Sequence, residues 1–227
     1  MIQEAHKAYN NSDFNTAFEL YSDLAKAGNA AAQASLGYMY QNAQGTQEDI
    51  TKAAEWFTKA AEQKHPLAMY NLAVIMMHGQ GLDHDMMKAF EYFLEAATHE
   101  VPQAMYEAAM MLEKGIGCLQ NFSEAAFWYE EAAKRGNMDA FNNLGVLFKE
   151  GHGVDMDYNK AFLLFTRASD KGVPTAQYNL GQMYDQGHGC EMDNDKALEL
   201  CRKAAYAGHE KAKSIIAALQ SDGKIVF

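Results

Sequence analysis

Along this chain apolar residues fall three and four positions apart rather than on alternate positions, the spacing that lines one face of an α-helix. The pattern also repeats as a block. Slid against itself by 36 residues, the sequence sets alanine at Ala32, Ala68, Ala104, Ala140, Ala176 and Ala212, and again at Ala17, Ala53, Ala89, Ala125, Ala161 and Ala197. Glycine holds Gly45, Gly81, Gly117, Gly153 and Gly189 at the same step, without an insertion. A period of this length predicts one helical hairpin per repeat, each stacked on the next.

Capping residues divide each repeat in two. Pro66, Pro102 and Pro174 mark the start of a first helix, where a missing backbone donor costs nothing. The column Asp13, Asp49, Asp85, Asn121, Asp157 and Asp193 supplies short side-chain oxygens for the free N–H groups of a second helix. Glycine closes the first helix at Gly79, Gly115, Gly151 and Gly187, and the second at Gly28, Gly136, Gly172 and Gly208. Alanine pairs such as Ala60-Ala61 and Ala96-Ala97 leave room for helices to approach to about 8–10 Å. Leu36, Leu72, Leu144 and Leu180 then fill the gaps, together with Tyr40, Phe148 and Tyr184. From the second helices, Trp56, Phe57, Tyr92, Phe93, Trp128, Tyr129 and Phe165 are expected in the core.

The chain has 227 residues, of which 48% are hydrophobic, enough for a continuous core. A formal net charge of −11 disfavours nucleic acid and anionic membranes as partners and favours basic or neutral protein surfaces. No window approaches the roughly 18 apolar residues of a membrane span, and MIQEAHKAYNNSDF has no signal-peptide core. Cys118, Cys190 and Cys201 form an odd set without a CxxC pair, which points to reduced thiols and a cytoplasmic setting, with a periplasmic or secreted one as the alternative where a leader has been removed.

The segments AMYNLAVIMMHGQGL, AFNNLGVLFKEGHGV and AQYNLGQMYDQGHGC, with the acidic cap and the alanine pairs downstream, resemble the Sel1-like repeat, a relative of the tetratricopeptide repeat. The resemblance covers five units, 30–65, 66–101, 102–137, 138–173 and 174–209. Residues 1–29 are similar to a tetratricopeptide-like opening hairpin, and 210–227 read as a closing helix and tail. The family likeness implies an all-α, right-handed solenoid whose first helices line a concave surface. It also implies a non-catalytic scaffold or adaptor of bacterial type that binds a protein or peptide there, as a monomer and without a cofactor.

On that surface one column reads Ser35, Asn71, Glu107, Asn143 and Asn179, and the column three residues on reads Tyr38, Val74, Met110, Val146 and Gln182. Asparagine amides can bond both the N–H and the C=O of an extended peptide, while Tyr38, Val74, Met110 and Val146 offer apolar contacts. Bracing of the adjacent repeat is the competing role for the same amides. Glu107 sets an acidic group in the column, suited to a basic ligand residue. A Met-rich stretch, Met69 to Met111, fills core gaps or softens part of the surface.

Other chemistry is poorly supported. Pairs such as Gly79-Gln80-Gly81 follow a helix and lack the third glycine of a dinucleotide fingerprint. His152 and His188, with Cys190 and Asp193 nearby, do not have the convergence that a zinc site demands, so no metal is expected. Ser221-Asp222-Gly223-Lys224 spells S-x-x-K outside any helix start, leaving a repeat hydrolase without its nucleophile, base and oxyanion donors. A third reading is self-association through Ile215, Ile216, Ile225, Val226 and Phe227.

Overall fold

The computed structural model describes residues 1–222, which form thirteen α-helices and, among the described residues, no strand. They fall into two compact units. The first ends at Gln120 and contains α1 (Ile2–Asn10), α2 (Phe14–Lys26), α3 (Ala30–Gln41), α4 (Ile50–Glu62), α5 (Pro66–His78), α6 (Met86–Thr98) and α7 (Pro102–Lys114). The second starts at Asn121 and contains α8 (Phe122–Lys134), α9 (Met138–Glu150), α10 (Tyr158–Asp170), α11 (Pro174–Gln186), α12 (Asn194–Tyr206) and α13 (Glu210–Ser221). Within each unit every helix packs on the next, the α-solenoid arrangement of stacked hairpins expected from the period.

The caps sit where the sequence sets them. Asp49, Asp85, Asn121, Asp157 and Asp193 each accept from the backbone N–H three residues on, and Asp13 likewise accepts from Thr16. Pro66, Pro102 and Pro174 open α5, α7 and α11. Gly79, Gly115, Gly151 and Gly187 close α5, α7, α9 and α11 in the left-handed region. A further cap column was missed in the sequence: Asn29, His65, Asn137 and His209 accept from the third N–H of α3, α5, α9 and α13.

Two glycines explain how tightly a repeat seats on its predecessor. At Gly153, with φ of 70°, an added Cβ would fall on the backbone of Phe122, and the Ser123 hydroxyl donates to the Gly153 carbonyl at 2.9 Å. At Gly145 a Cβ would lie 2.8 Å from the Phe165 ring, so the small residue lets the ring lie flat against α9.

The interior is made of alanine columns and one buried aromatic ring from each of α2, α4, α6, α8 and α10. Phe57, Phe93, Tyr129 and Phe165 are fully buried, with Leu36, Leu72, Leu144 and Leu180 beside them. Trp56, Tyr92 and Trp128 depart from the core expectation and are only half-buried. Each precedes a buried aromatic by one position, and a turn of about 100° per residue carries its ring to the flank of the stack. Tyr40, Phe148 and Tyr184 are half-buried as well. At the far end Ile216 is buried and Ile215 is 40% exposed, whereas Ile225, Val226 and Phe227 lie outside the described residues.

Candidate functional site

In the first unit, α3 carries Ser35 and Tyr38, α5 carries Asn71 and Val74, and α7 carries Glu107 and Met110. Residues three apart share a helix face, so each pair presents to the same side. Ser35, Tyr38 and Asn71 line one pocket of about 360 Å³. The sequence reading missed His6, Tyr9, Tyr21, His65 and Leu67, which line it together with Ala31 and Ala34. Tyr38 and Leu67 are 43% and 56% exposed, an apolar rim open to solvent.

Polar groups behind that rim are organised. His6 Nδ1 lies 2.6 Å from the Tyr21 hydroxyl, and the Tyr9 hydroxyl donates to Gln44 Oε1 at 2.8 Å. Burial pushes the Tyr21 phenol up, with a hydrogen bond to Ser35 acting against it. His65 spends Nδ1 on capping α5, and burial holds its pKa below the ordinary histidine range, so the ring there is neutral. The Asn71 amide has no hydrogen-bond partner among the described residues.

Further along, Glu107 is half-buried. Burial lifts its carboxyl above the usual range, opposed by His78 and Lys114, and its charge in turn helps raise Tyr70. A desolvated carboxylate of this kind gains from any cation brought to it. Val74 and Met110 are half-buried beside it in the column.

The second unit treats the same column differently. Asn143 Oδ1 accepts from Asn142 Nδ2 at 3.1 Å, and Asn143 Nδ2 donates to the Tyr129 hydroxyl at 3.1 Å. Asn179 Nδ2 donates to Asn142 Oδ1 at 2.9 Å. Asn142, only 6% exposed, therefore ties α9 to α11. A signal for this stood in the sequence: Asn142 interrupts a tyrosine column of Tyr70, Tyr106 and Tyr178. Val146 is half-buried against the Phe165 cluster. Gln182 donates to the Tyr178 hydroxyl at 3.0 Å and lines a separate cleft of about 580 Å³ with Cys201, Ile215 and Leu219.

The remaining candidates serve packing. His188 stacks on Tyr158 with ring centroids 4.2 Å apart, and His152 lies 4.9 Å from Phe122. Among the described residues no group of three or more His, Cys, Asp or Glu side chains is placed to hold a metal ion. Cys190 and Cys201 are free, and burial pushes both thiols up, away from the reactive thiolate. The Ser221 hydroxyl donates to the Ala218 carbonyl, and Lys224 lies outside the described residues. No helix among the described residues is long and apolar enough to cross a membrane.

The Sel1 repeat pattern matches residues 30–65, 66–100, 102–137, 139–173 and 174–209. A Sel1 repeat protein from Oxalobacter formigenes is 28% identical, with a TM-score of 0.88 over 96% of this chain and 86% of that one. A protective antigen of uropathogenic Escherichia coli with the same repeat fold is 26% identical, with a TM-score of 0.56 over 91% of this chain and 52% of that one. A Sel1 repeat protein from Klebsiella pneumoniae subsp. pneumoniae, at 23% identity, shares the fold, with a TM-score of 0.53 over 89% of this chain and 99% of that one. No curated protein matches the chain. Proteins built from these repeats are generally non-catalytic scaffolds that mediate protein–protein interaction. With five matched repeats and a neighbour superposing over nearly its whole length, this chain belongs to the Sel1 repeat family.

Proposed function

We propose that this protein is a non-catalytic adaptor that captures a peptide or a protein segment on the surface lined by the first helices of its repeats. The observation that carries this is the pocket of about 360 Å³ where Ser35, Tyr38 and Asn71 meet. Its exposed Tyr38 and Leu67 offer an apolar anchor point, and the uncommitted Asn71 amide can accept from and donate to the ligand backbone. Glu107, with its charge partly desolvated, favours a basic residue further along the same ligand. Asn143 and Asn179 have a smaller direct part in this reading, because their amides are already engaged with Asn142. The half-buried thiols of Cys118, Cys190 and Cys201 fit a reducing compartment such as the cytoplasm.

The test is affinity capture from the source organism's lysate, followed by titration of the purified partner. A Tyr38→Ala/Asn71→Ala variant, checked for fold by circular dichroism, is expected to lose about tenfold or more in affinity, the loss typical of an interface hot spot. A partner that binds this folded variant as tightly as wild type would sink the proposal.

A further inference from the structure

A second surface lies in the second unit and draws mainly on its even-numbered helices. One column of the even-numbered helices reads Glu19, Glu55, Glu91, Phe127, Leu163 and Glu199. The four glutamates are exposed, as a solvated face requires. At the same position Phe127 and Leu163 leave 54% and 62% of their surface in water. Two consecutive repeats thus replace a solubilising charge with a large apolar side chain, at a place where the fold itself asks for neither.

Leu163 lines a cleft, and Phe127 stands one helical turn before Glu130, which lines it too. The cleft measures about 430 Å³, is lined from α8, α9 and α10, and has a floor that includes Phe141, Leu144, Phe148 and Leu164. Phe141 lines it with a half-open ring, whereas Met69 and Met105 in the same column are buried. The rim carries Lys134, Lys160 and Arg167 with Glu130, and Glu131 and Asp157 stand beside it, so that Arg167 is the rim cation left without an acid partner among the described residues. Lys134 pairs with Glu130 and Glu131, and Lys160 approaches Asp157 at 3.7 Å. Arg167 has no ion pair among the described residues, and its guanidinium sits 5.7 Å from the Phe141 ring centroid. Along α8, Phe127, Glu130 and Lys134 share one stripe, and along α10 Lys160, Leu163 and Arg167 share another.

We infer that this cleft is a docking site for an acidic amphipathic helix of a partner protein. Bulky apolar side chains of the ligand seat on Phe141 and Phe148 between Phe127 and Leu163, and its carboxylates meet Arg167 and Lys160. Two turns of helix span about 10 Å, the spacing of packed neighbours, so anchors at i, i+4 and i+7 reach both walls. Charge selects the sign of the ligand, and the apolar floor supplies affinity.

The experiment selects a random library of displayed 18-residue helical peptides on the whole chain, with counter-selection on a Phe127→Glu/Leu163→Glu variant. That variant restores the residue found in this column at 19, 55, 91 and 199, and an unchanged melting curve verifies its fold. Expected survivors carry Asp or Glu beside Leu or Phe at i and i+4 spacing. As synthetic peptides they should lose about tenfold or more in affinity on the double variant and on Arg167→Glu, and weaken with added salt. They should bind a Tyr38→Ala/Asn71→Ala variant as they bind wild type, which separates this surface from the peptide pocket. Survivors that are basic, or no survivors at all, would overturn the inference. So would light scattering that shows a wild-type dimer broken by the double variant, because the occupant would then be a second copy of this chain.

Discussion

The surface lined by first helices in the residues up to Gln120 and the equivalent surface from Asn121 onward share columns, cap chemistry and core, yet their asparagines do different work. Asn71 stands at the edge of an open pocket with no hydrogen-bond partner among the described residues. Asn143 and Asn179 are held through Asn142 in a network that reaches Tyr129. What separates them is the neighbouring column, where Asn142 stands beside Asn143 and reaches Asn179 in the next repeat, whereas Ala34 and Tyr70 hold the equivalent positions around Asn71. A repeat position therefore has no function of its own. A donor becomes available to a ligand only where the next column leaves it unpaired.

The largest effect tests the part that the two units share. Phe93→Ala and Phe165→Ala each remove a fully buried ring and should cost about 3–5 kcal/mol of stability, measured by urea unfolding. A clear inequality would mean that one unit repacks where the other cannot. Next comes the asparagine network itself. Asn142→Ala leaves buried or half-buried amides unpaired and should destabilise by about 1–3 kcal/mol, whereas Asn71→Ala should stay within about 0.5 kcal/mol. Equal losses would erase the contrast between the two surfaces.

A smaller effect separates two glutamines in one column. Gln33 donates to the Ala25 carbonyl and accepts from Gln63, while Gln177 Oε1 is buried without a partner. Methionine fills this column at Met69 and Met105. Gln177→Met should raise stability by about 1 kcal/mol and Gln33→Met should lower it, both read from denaturant midpoints.

The smallest effect lies in the pH dependence. Burial holds His65 and His209 below the ordinary histidine pKa of about 6.5, so the unfolded chain takes up these protons first as pH falls. The stability their neutral caps contribute is complete above that pH and is lost as pH drops through the folded-state values. His65→Asn, using the cap found at Asn29 and Asn137, should flatten melting temperature between pH 7 and 5, and His209→Asn should do the same in the other unit. The aspartate caps Asp49, Asp85 and Asp193 have lowered pKa values, so their contribution persists to more acid conditions and fades below the usual carboxylate range. Unchanged slopes in both histidine variants would assign all acid sensitivity to those carboxylates.

Much of this could be read in the chain before any coordinates. Asp49 caps because a short carboxylate precedes a helical apolar run, Pro66 starts a helix because only a first turn tolerates it, and Gly151 ends one because its backbone turns left-handed. These are local effects, set by a residue and its nearest neighbours, and a 36-residue repeat restates them until the hairpin stack is fixed. Burial order was less legible: Trp56 and Phe57 look alike in sequence, and only packing sends one ring inward and leaves the other on the flank. The pocket of Tyr38 and Asn71 needed the fold as well, since His6, Tyr9 and Tyr21 come from α1 and α2, ahead of the five matched repeats. By itself, then, the sequence determined the helices, their caps and their stacking, because those depend on contacts within one or two turns. Which amides remain free, which apolar side chains stay in water and where clefts open was decided by tertiary structure, because each depends on the side chain that a different helix brings alongside.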